Sequence, residues 1–310
     1  MKKEIRVFAP ASVSNVACGF DVMGFAIDEP GDEVVLRLTE APGVTIKKIT
    51  GDGGKLPLDA AHNTAGAPVI AMLNALGCRS GIELEIHKKM PLGSGLGSSA
   101  ASAVAAAFGV NELLDAGLSK HEILPFALEG EKIASGAIHA DNVAPCLWGG
   151  FILVRGYDPI DVVEIPVPGE LFCAVIHPDI EINTKESRRL LPKEIPLKKA
   201  ITQWGNTAGL IAGLMKGDYG LISRSIEDVI IEPVRAPFIP KYKEMKAAAL
   251  EAGALGCNIS GSGPSLFALC SSHEAARKSA EAMSSVLSGS EHQIYISKVN
   301  TAGPKVIYSE

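Results

Sequence analysis

Apolar and polar residues alternate from Glu4 to Phe8, the two-residue period of a strand with one buried face. β-Branched or aliphatic residues mark a second strand-like run from Glu33 to Leu38, and Gly31, Gly43, Gly51, Gly53 and Gly54 punctuate the rest of the first 60 residues. The period changes between Thr64 and Leu76, where Ile70, Leu73 and Leu76 fall at helical spacing, Asn63 or Thr64 can cap the start and Gly77 ends the run. Ile82, Leu84 and Ile86 then alternate with Glu83, Glu85 and His87, which predicts a half-buried strand ending before Pro91. A glycine-serine loop from Gly93 to Ser99 leads directly into the alanine-rich helical segment Ala100 to Leu114. Ser119 and Glu122 form the S-x-x-E capping pattern, which predicts a helix to about Ala134.

The segment Gly149 to Pro168 is strand-like and rich in Pro and Gly, the composition of a domain boundary. Beyond it, helical stretches at Leu197–Lys216, Leu221–Ile230 and Pro240–Ala252 alternate with strands at Phe172–Ile176, Leu266–Cys270 and Gln293–Val299, as in a sheet layered with helices. The chain's 310 residues exceed the ~100–200 of a single average domain. We therefore expect two domains, residues 1–160 and 161–310, in an α+β arrangement.

Charge and cysteine usage narrow the partners. The 29 Lys and Arg against 35 Asp and Glu give a formal net charge of −6, with no cationic block, so a protein that grips nucleic-acid backbones is not expected. No window reaches the roughly 18 consecutive apolar residues of a membrane helix, and no apolar stretch of signal-peptide length follows the start. The six cysteines (Cys18, Cys78, Cys146, Cys173, Cys257, Cys270) lie at no zinc-ligand spacing and are read as reduced, buried thiols of a cytoplasmic protein.

Strand, glycine loop and helix in succession form the densest chemical signal. Glycines let backbone N–H groups approach a ligand, and the helix start adds unsatisfied donors and a positive dipole end, which together suit a phosphate. The same residues would also serve as a tight turn for close helix packing. A Walker A loop is excluded because no Lys follows these glycines, a dinucleotide fingerprint because Ser98 stands where its third glycine belongs, and a hydrolase elbow because G-x-S-x-G is missing.

The run Pro91-Leu92-Gly93-Ser94-Gly95-Leu96-Gly97-Ser98-Ser99-Ala100-Ala101 resembles the phosphate loop of the GHMP kinase superfamily. Ala9-Pro10-Ala11-Ser12 near the N-terminus and Ser260-Gly261-Ser262-Gly263-Pro264-Ser265 near the C-terminus are similar to two further motifs of that superfamily, in the same order. The resemblance covers essentially the whole chain. It implies the two-domain GHMP kinase fold, with an N-terminal ribosomal protein S5 domain 2-like domain and a C-terminal ferredoxin-like α/β sandwich.

Within the superfamily the chain resembles the homoserine kinases. Ser12 stands where mevalonate kinases carry a lysine, the sugar motif of galactokinases is missing, and Ala9 to Asp21 follows A-P-A-S/T-x-x-N-x-x-x-G-F-D. His139-Ala140-Asp141-Asn142-Val143-Ala144-Pro145 is also similar to that family. The resemblance implies ATP-dependent phosphorylation of the side-chain hydroxyl of L-homoserine, in threonine biosynthesis. Arg188 and Arg235 match the carboxylate-binding arginines, Asp21 the residue facing the ammonium, and Asn15, His139 and Thr184 other substrate positions. Glu131 and Ser99 match the ligands of Mg²⁺, with Glu129 the rival carboxylate; two residues apart on a helix, the two glutamates cannot share a face. Asp141 matches a base in mevalonate-kinase-like relatives, whereas the homoserine kinase resemblance points to Asn142 holding the hydroxyl without a protein base. Asn63 and Lys88 match positions near the nucleotide. A mevalonate- or sugar-type GHMP kinase and a non-catalytic ligand-sensing protein of the same fold are the alternatives, and a homodimer is the one assembly considered.

Overall fold

Backbone and side chains of residues 2–136, 138–182 and 184–310 are described by a computed structural model, except the side chains at 134, 135, 184 and 185. The N-terminal alternation extends into β1 (Glu4–Ser14), whose burial alternates only as far as Phe8; from Ala9 onward every residue is buried. Small residues occupy that stretch because it is covered from more than one side. β1 pairs antiparallel with β2 (Met23–Thr39), and the two strands together form the spine of the first sheet.

That sheet has seven strands. Its main path runs β11 (Lys305–Ser309), β1, β2, β4 (Gly81–His87) and β3 (Val44–Thr50), with β3 parallel to β4. β5 (Phe151–Tyr157) pairs with the far end of β2, and β6 (Ile160–Ile165) pairs with β5. The helices α1 (Gly66–Ala75), α2 (Ser98–Leu114), α3 (Lys120–Ser135) and α4 (Ala140–Trp148) pack together, with α2 and α4 against β1 and β2. Alanines along α2 permit this approach, since Ala100, Ala101 and Ala103 to Ala107 apart from Val104 are fully buried alanines. The capping pattern at Ser119 is realised in both directions, the Ser119 hydroxyl accepting from Glu122 N–H and the Glu122 carboxylate accepting from Ser119 N–H.

The second sheet is antiparallel, in the order β10 (His292–Lys298), β7 (Phe172–Pro178), β9 (Leu266–Cys270), β8 (Gly256–Ile259). Helices α9 (Tyr242–Glu251) and α10 (His273–Val286) cover one face. Residues of β7 and β9 divide between two cores. Ala174, Ile176, Leu266, Ala268 and Cys270 pack beneath those helices, while Cys173, Val175, Phe267 and Leu269 join the core of the first sheet. A strand buried on both faces has no polar side to show, which is why these segments read as plain apolar runs. In the chain, β7 is followed by α5 (Thr184–Arg189), α6 (Leu197–Lys216), α7 (Tyr219–Ser225) and α8 (Glu232–Arg235).

The expected division at residues 160/161 falls at the start of β6, within the β5–β6 hairpin, both of whose strands belong to the first sheet. The C-terminal β11 also returns to that sheet, beside β1. The helix expected over Leu221–Ile230 stops at Ser225, because the Asp228 carboxylate accepts hydrogen bonds from the N–H groups of Ile230, Ile231 and Glu232 and starts α8 instead. Sequence periodicity does not foresee β3, β8, β11, α4 or α10.

Candidate active site

Three segments far apart in sequence meet at the start of α2. The loop after β4 carries Gly93, Gly95 and Gly97 at φ of 69°, 79° and 68°, in the left-handed region that favours glycine. A Cβ on Gly95 would collide with the Ser260 carbonyl, and one on Gly97 with the Ser12 hydroxyl. The loop is therefore nested between the two other motifs. Ser260 Oγ donates to the Gly95 carbonyl (2.7 Å), Ser265 N–H to the Ser94 carbonyl (3.3 Å), and Ser12 N–H to the Leu96 carbonyl (3.1 Å). Ser12 Oγ also donates to Asn142 Oδ1 (3.0 Å), which brings α4 to the same point.

The two hydroxyls at the helix start point opposite ways. Ser98 turns inward, donating to Asp32 (2.7 Å), whereas Ser99 donates to Glu131 Oε2 on α3 (3.0 Å). Glu131 is buried, and its other oxygen lies 3.2 Å from His139 Nδ1. Glu129 projects outward and pairs with Lys132 on the surface. The hydrogen bond to the Glu131 carboxylate raises the His139 pKa, although burial opposes it.

A second group of charges in the cleft is arranged differently. Arg188, from α5, forms a two-pronged ion pair with Asp21 (Nη1 to Oδ1 3.1 Å) and lies 3.4 Å from His139 Nε2. Arg235, at the end of α8, is buried, donates to the Gly261 carbonyl (2.8 Å), and its Nε has no partner among the described residues. Burial lowers its pKa, with Asp21 the main opposing charge. Both guanidiniums lie over Phe20, whose ring centroid is 5.8 Å from Arg188 and 5.3 Å from Arg235. The turn bearing Phe20 and Asp21 is strained, with Asn15, Val16, Ala17 and Asp21 all at positive φ. Asn15 braces it, donating to the Gly261 carbonyl (2.8 Å) and accepting from Asp21 N–H (3.0 Å).

Asp141 sits between these two groups of charges. It is buried on the first turn of α4, and its Oδ1 has no hydrogen-bond partner among the described residues. Burial, helped by the negative charge of Asp21, pushes its pKa up to about 7.

A cleft of about 590 Å³ unites these features. Asn15, Asp21, Asn63, Lys88, Leu92, Gly93, Ser94, Gly95, Gly97, Ser98 and Ser99 line it, together with Glu131, His139, Asp141, Asn142, Arg188 and Arg235. Leu96, Ala100 and Ala101 are instead fully buried, so they hold the loop from behind, and Pro91 is also outside the lining. Thr184 opens α5, but its side chain lies outside the described residues. Lys88 reaches the cleft wall with its ammonium already engaged by Asp32, the Ser98 carbonyl (2.7 Å) and Ser102 Oγ (2.7 Å), a buried pair that fixes the start of α2. Asn63 is likewise engaged, donating to the Pro57 carbonyl (2.8 Å) and accepting from Ala65 N–H (2.9 Å). Sequence reasoning missed Phe20, although it stands inside a quoted motif, and missed Lys55 and Glu181, which pair across the cleft mouth at 3.4 Å without any sequence signal.

The site offers a glycine cradle with helix-start donors, a carboxylate and hydroxyl fit for a hard cation, and two arginines with an aspartate opposite. Residues 63–150 match the family "GHMP kinases N terminal domain", and residues 210–289 match "GHMP kinases C terminal". Homoserine kinase of Chloroherpeton thalassium is 50% identical, over 98% of this chain and 100% of the relative. The crystal structure of homoserine kinase from Cytophaga hutchinsonii superposes with a TM-score of 0.97 at 56% identity, covering 99% of this chain and 98% of that one. A mevalonate kinase from L. major, in complex with R-mevalonate, has the same fold at a TM-score of 0.73 and 17% identity, covering 95% of this chain and 96% of that one.

Proposed function

The chain belongs to the GHMP kinases and, within them, to the homoserine kinases, and from that premise we propose how its own residues transfer the γ-phosphoryl group of ATP to the side-chain hydroxyl of L-homoserine, a step of threonine biosynthesis. The observation that carries the reading is the convergence of Asp21, Arg188 and Arg235 in the same cleft as Asn142 and the glycine loop. A zwitterionic amino acid exchanges the Asp21–Arg188 pair for its own charges. Its ammonium takes Asp21, and its carboxylate takes Arg188 and the unpartnered Nε side of Arg235. A sugar or isoprenoid alcohol offers no such pair of charges.

On the nucleotide side, the N–H groups from Gly93 to Ser99 cradle the polyphosphate. Ser99 Oγ and Glu131 Oε2 present two hard oxygens 3.0 Å apart, a donor set that fits Mg²⁺ with the remaining ligands drawn from the nucleotide. When bound, the ion neutralises charge on the phosphates. Asn142, tied to Ser12 and lining the cleft, orients the hydroxyl toward the γ-phosphorus. Oxygen–phosphorus bond formation releases ADP and one proton. Asp141, with burial holding its pKa close to neutrality, accepts that proton. His139 links the carboxylate of Glu131 to Arg188 and so couples the two subsites. The six unpaired cysteines accord with a reducing compartment such as the cytoplasm.

The test is Arg235→Leu. Removing one partner of a desolvated charge pair costs on the order of 2–5 kcal/mol, so the KM for homoserine should rise more than about tenfold while that for ATP stays within twofold. An unchanged homoserine KM, or an equal loss for ATP, would remove the amino-acid pocket from this position.

A further inference from the structure

The two lips of the amino-acid pocket come from distant parts of the chain. Phe20 and Asp21 follow the strained turn after β1, and Arg235 ends α8. Between them, behind the cleft wall, lies a buried carboxylate that the phosphoryl-transfer chemistry does not use. Asp228 is 7% exposed, and four donors converge on it. Its Oδ1 accepts from Ile230 N–H (2.9 Å), Ile231 N–H (2.9 Å) and Gln203 Nε2 (3.0 Å), and its Oδ2 accepts from Glu232 N–H (2.8 Å).

Three of those bonds fix the backbone from which α8 begins, and the fourth leads to the other lip. Gln203, buried on α6, also donates to the Cys18 carbonyl (3.2 Å) and accepts from Val229 N–H (3.0 Å). Thr207, one turn along the same helix, donates to that carbonyl too (2.8 Å). Cys18 is two residues from Phe20, within the turn whose backbone is strained at Asn15, Val16 and Ala17. A carbonyl held by two donors, both from a rigid helix, cannot drift, so the direction of the Phe20–Asp21 segment is set from α6. The negative charge of Asp228 is also a compensating one for the buried Arg235 guanidinium.

We propose that Asp228 and Gln203 are positioning residues for the amino-acid substrate, a buried strut that sets the spacing between Asp21 and Arg235. The strut rests on the reading of Asp21, Arg188 and Arg235 as the zwitterion pocket. It touches neither substrate nor nucleotide. Among the described residues it shares no hydrogen bond with the glycine loop, whose bracing comes from Ser12, Ser260 and Ser265. Loosening the strut should therefore separate the two substrates kinetically, which general destabilisation would not do.

Two near-isosteric variants test it. Asp228→Asn keeps the shape and loses the charge and one acceptor; Gln203→Met keeps the length and loses the link while leaving the Asp228–backbone bonds intact. Each should raise the KM for homoserine about three- to thirtyfold, with the KM for ATP and kcat at saturation within about twofold of wild type. Because the strut acts through Arg235 and Asp21, Asp228→Asn added to Arg235→Leu should raise the homoserine KM by less than about twofold beyond Arg235→Leu alone. Gln203→Met decides the matter should Asp228→Asn fold poorly. The strut is refuted when Arg235→Leu raises the homoserine KM but neither strut variant does, when ATP and homoserine are weakened alike, or when the effects of Asp228→Asn and Arg235→Leu multiply. An Arg235→Leu enzyme with an unchanged homoserine KM overturns the pocket itself, and the strut with it.

Discussion

Asp141 and Glu131 are two buried carboxylates on either side of His139 in the chain, and their surroundings differ. Asp141 has a folded pKa raised from 3.8 to about 7 by burial, so its contribution to stability is full below pH 3.8 and is lost as the pH rises through 7. Above that point its ionised form is held near Asp21 and Glu131 at a cost to the fold. Asp141→Asn, neutral at every pH, should raise the melting temperature by on the order of a few °C at pH 8 and leave it nearly unchanged at pH 4. The same variant should lose at least about a hundredfold in kcat, and the rise of wild-type kcat through pH 7 should vanish from its profile. Retained turnover would leave Asn142 orienting the hydroxyl without a protein base. Glu131→Gln keeps the size of the side chain and removes its charge. It should lower kcat and shift half-saturation by Mg²⁺ to higher concentration, measured by titrating Mg²⁺ at fixed ATP; an unshifted titration would assign the ion elsewhere. At this scale the sequence was informative about residue types and poor about their state. Motif spacing picks out Lys88 and Ser98, but only the packing shows that both are turned toward Asp32. It equally cannot show that Asp21 and Arg188 are paired with each other.

The glycine loop is the element in which all three motifs meet, and its tolerance to change is set by its neighbours rather than by the ligand alone. The Cα–Cβ direction at Gly95 points at the backbone of Ser260 and Gly263, not into the cleft. Gly95→Ala should therefore move the Ser260–Ser265 segment and strain a residue held at φ 79°, raising the KM for ATP and lowering stability by about 1–3 kcal/mol, read by denaturant unfolding. A stable variant with native ATP affinity would show that the loop gives way freely. Helices with clear caps and one apolar face were legible in the sequence, as at Ser119, and so was the strand over Ile82 to Ile86. The elements that escaped have physical reasons. β8 is only four residues long, so no period can establish itself, and β11 finds its partner 300 residues away at the start of the chain. α4 contains Pro145, which reads as a break, yet the helix continues to Trp148.

Across the whole molecule, the two sheets share one core through Phe25, Phe151 and Phe267, and the cleft opens where their connecting segments come together. β1 and the glycine loop belong to the first sheet's half, whereas β7 and Ser260 to Ser265 belong to the second, so neither half alone completes the site. The sequence division at 160/161 could not show this, because a hairpin and a returning terminal strand cross it. In the proposed function this composite cleft selects an alcohol by its α-ammonium and α-carboxylate while the glycine loop presents ATP. The most direct measurement is ADP release by the wild-type enzyme with L-homoserine, 4-hydroxybutyrate, 3-aminopropan-1-ol, mevalonate and galactose, with phosphorylated products identified by mass. Homoserine should exceed every other alcohol by at least about a hundredfold in kcat/KM, since each analogue fails to complement Asp21, the arginine pair or both. Turnover of mevalonate or galactose at a comparable rate, or a loss below tenfold on deleting the amine or the carboxylate, would contradict it.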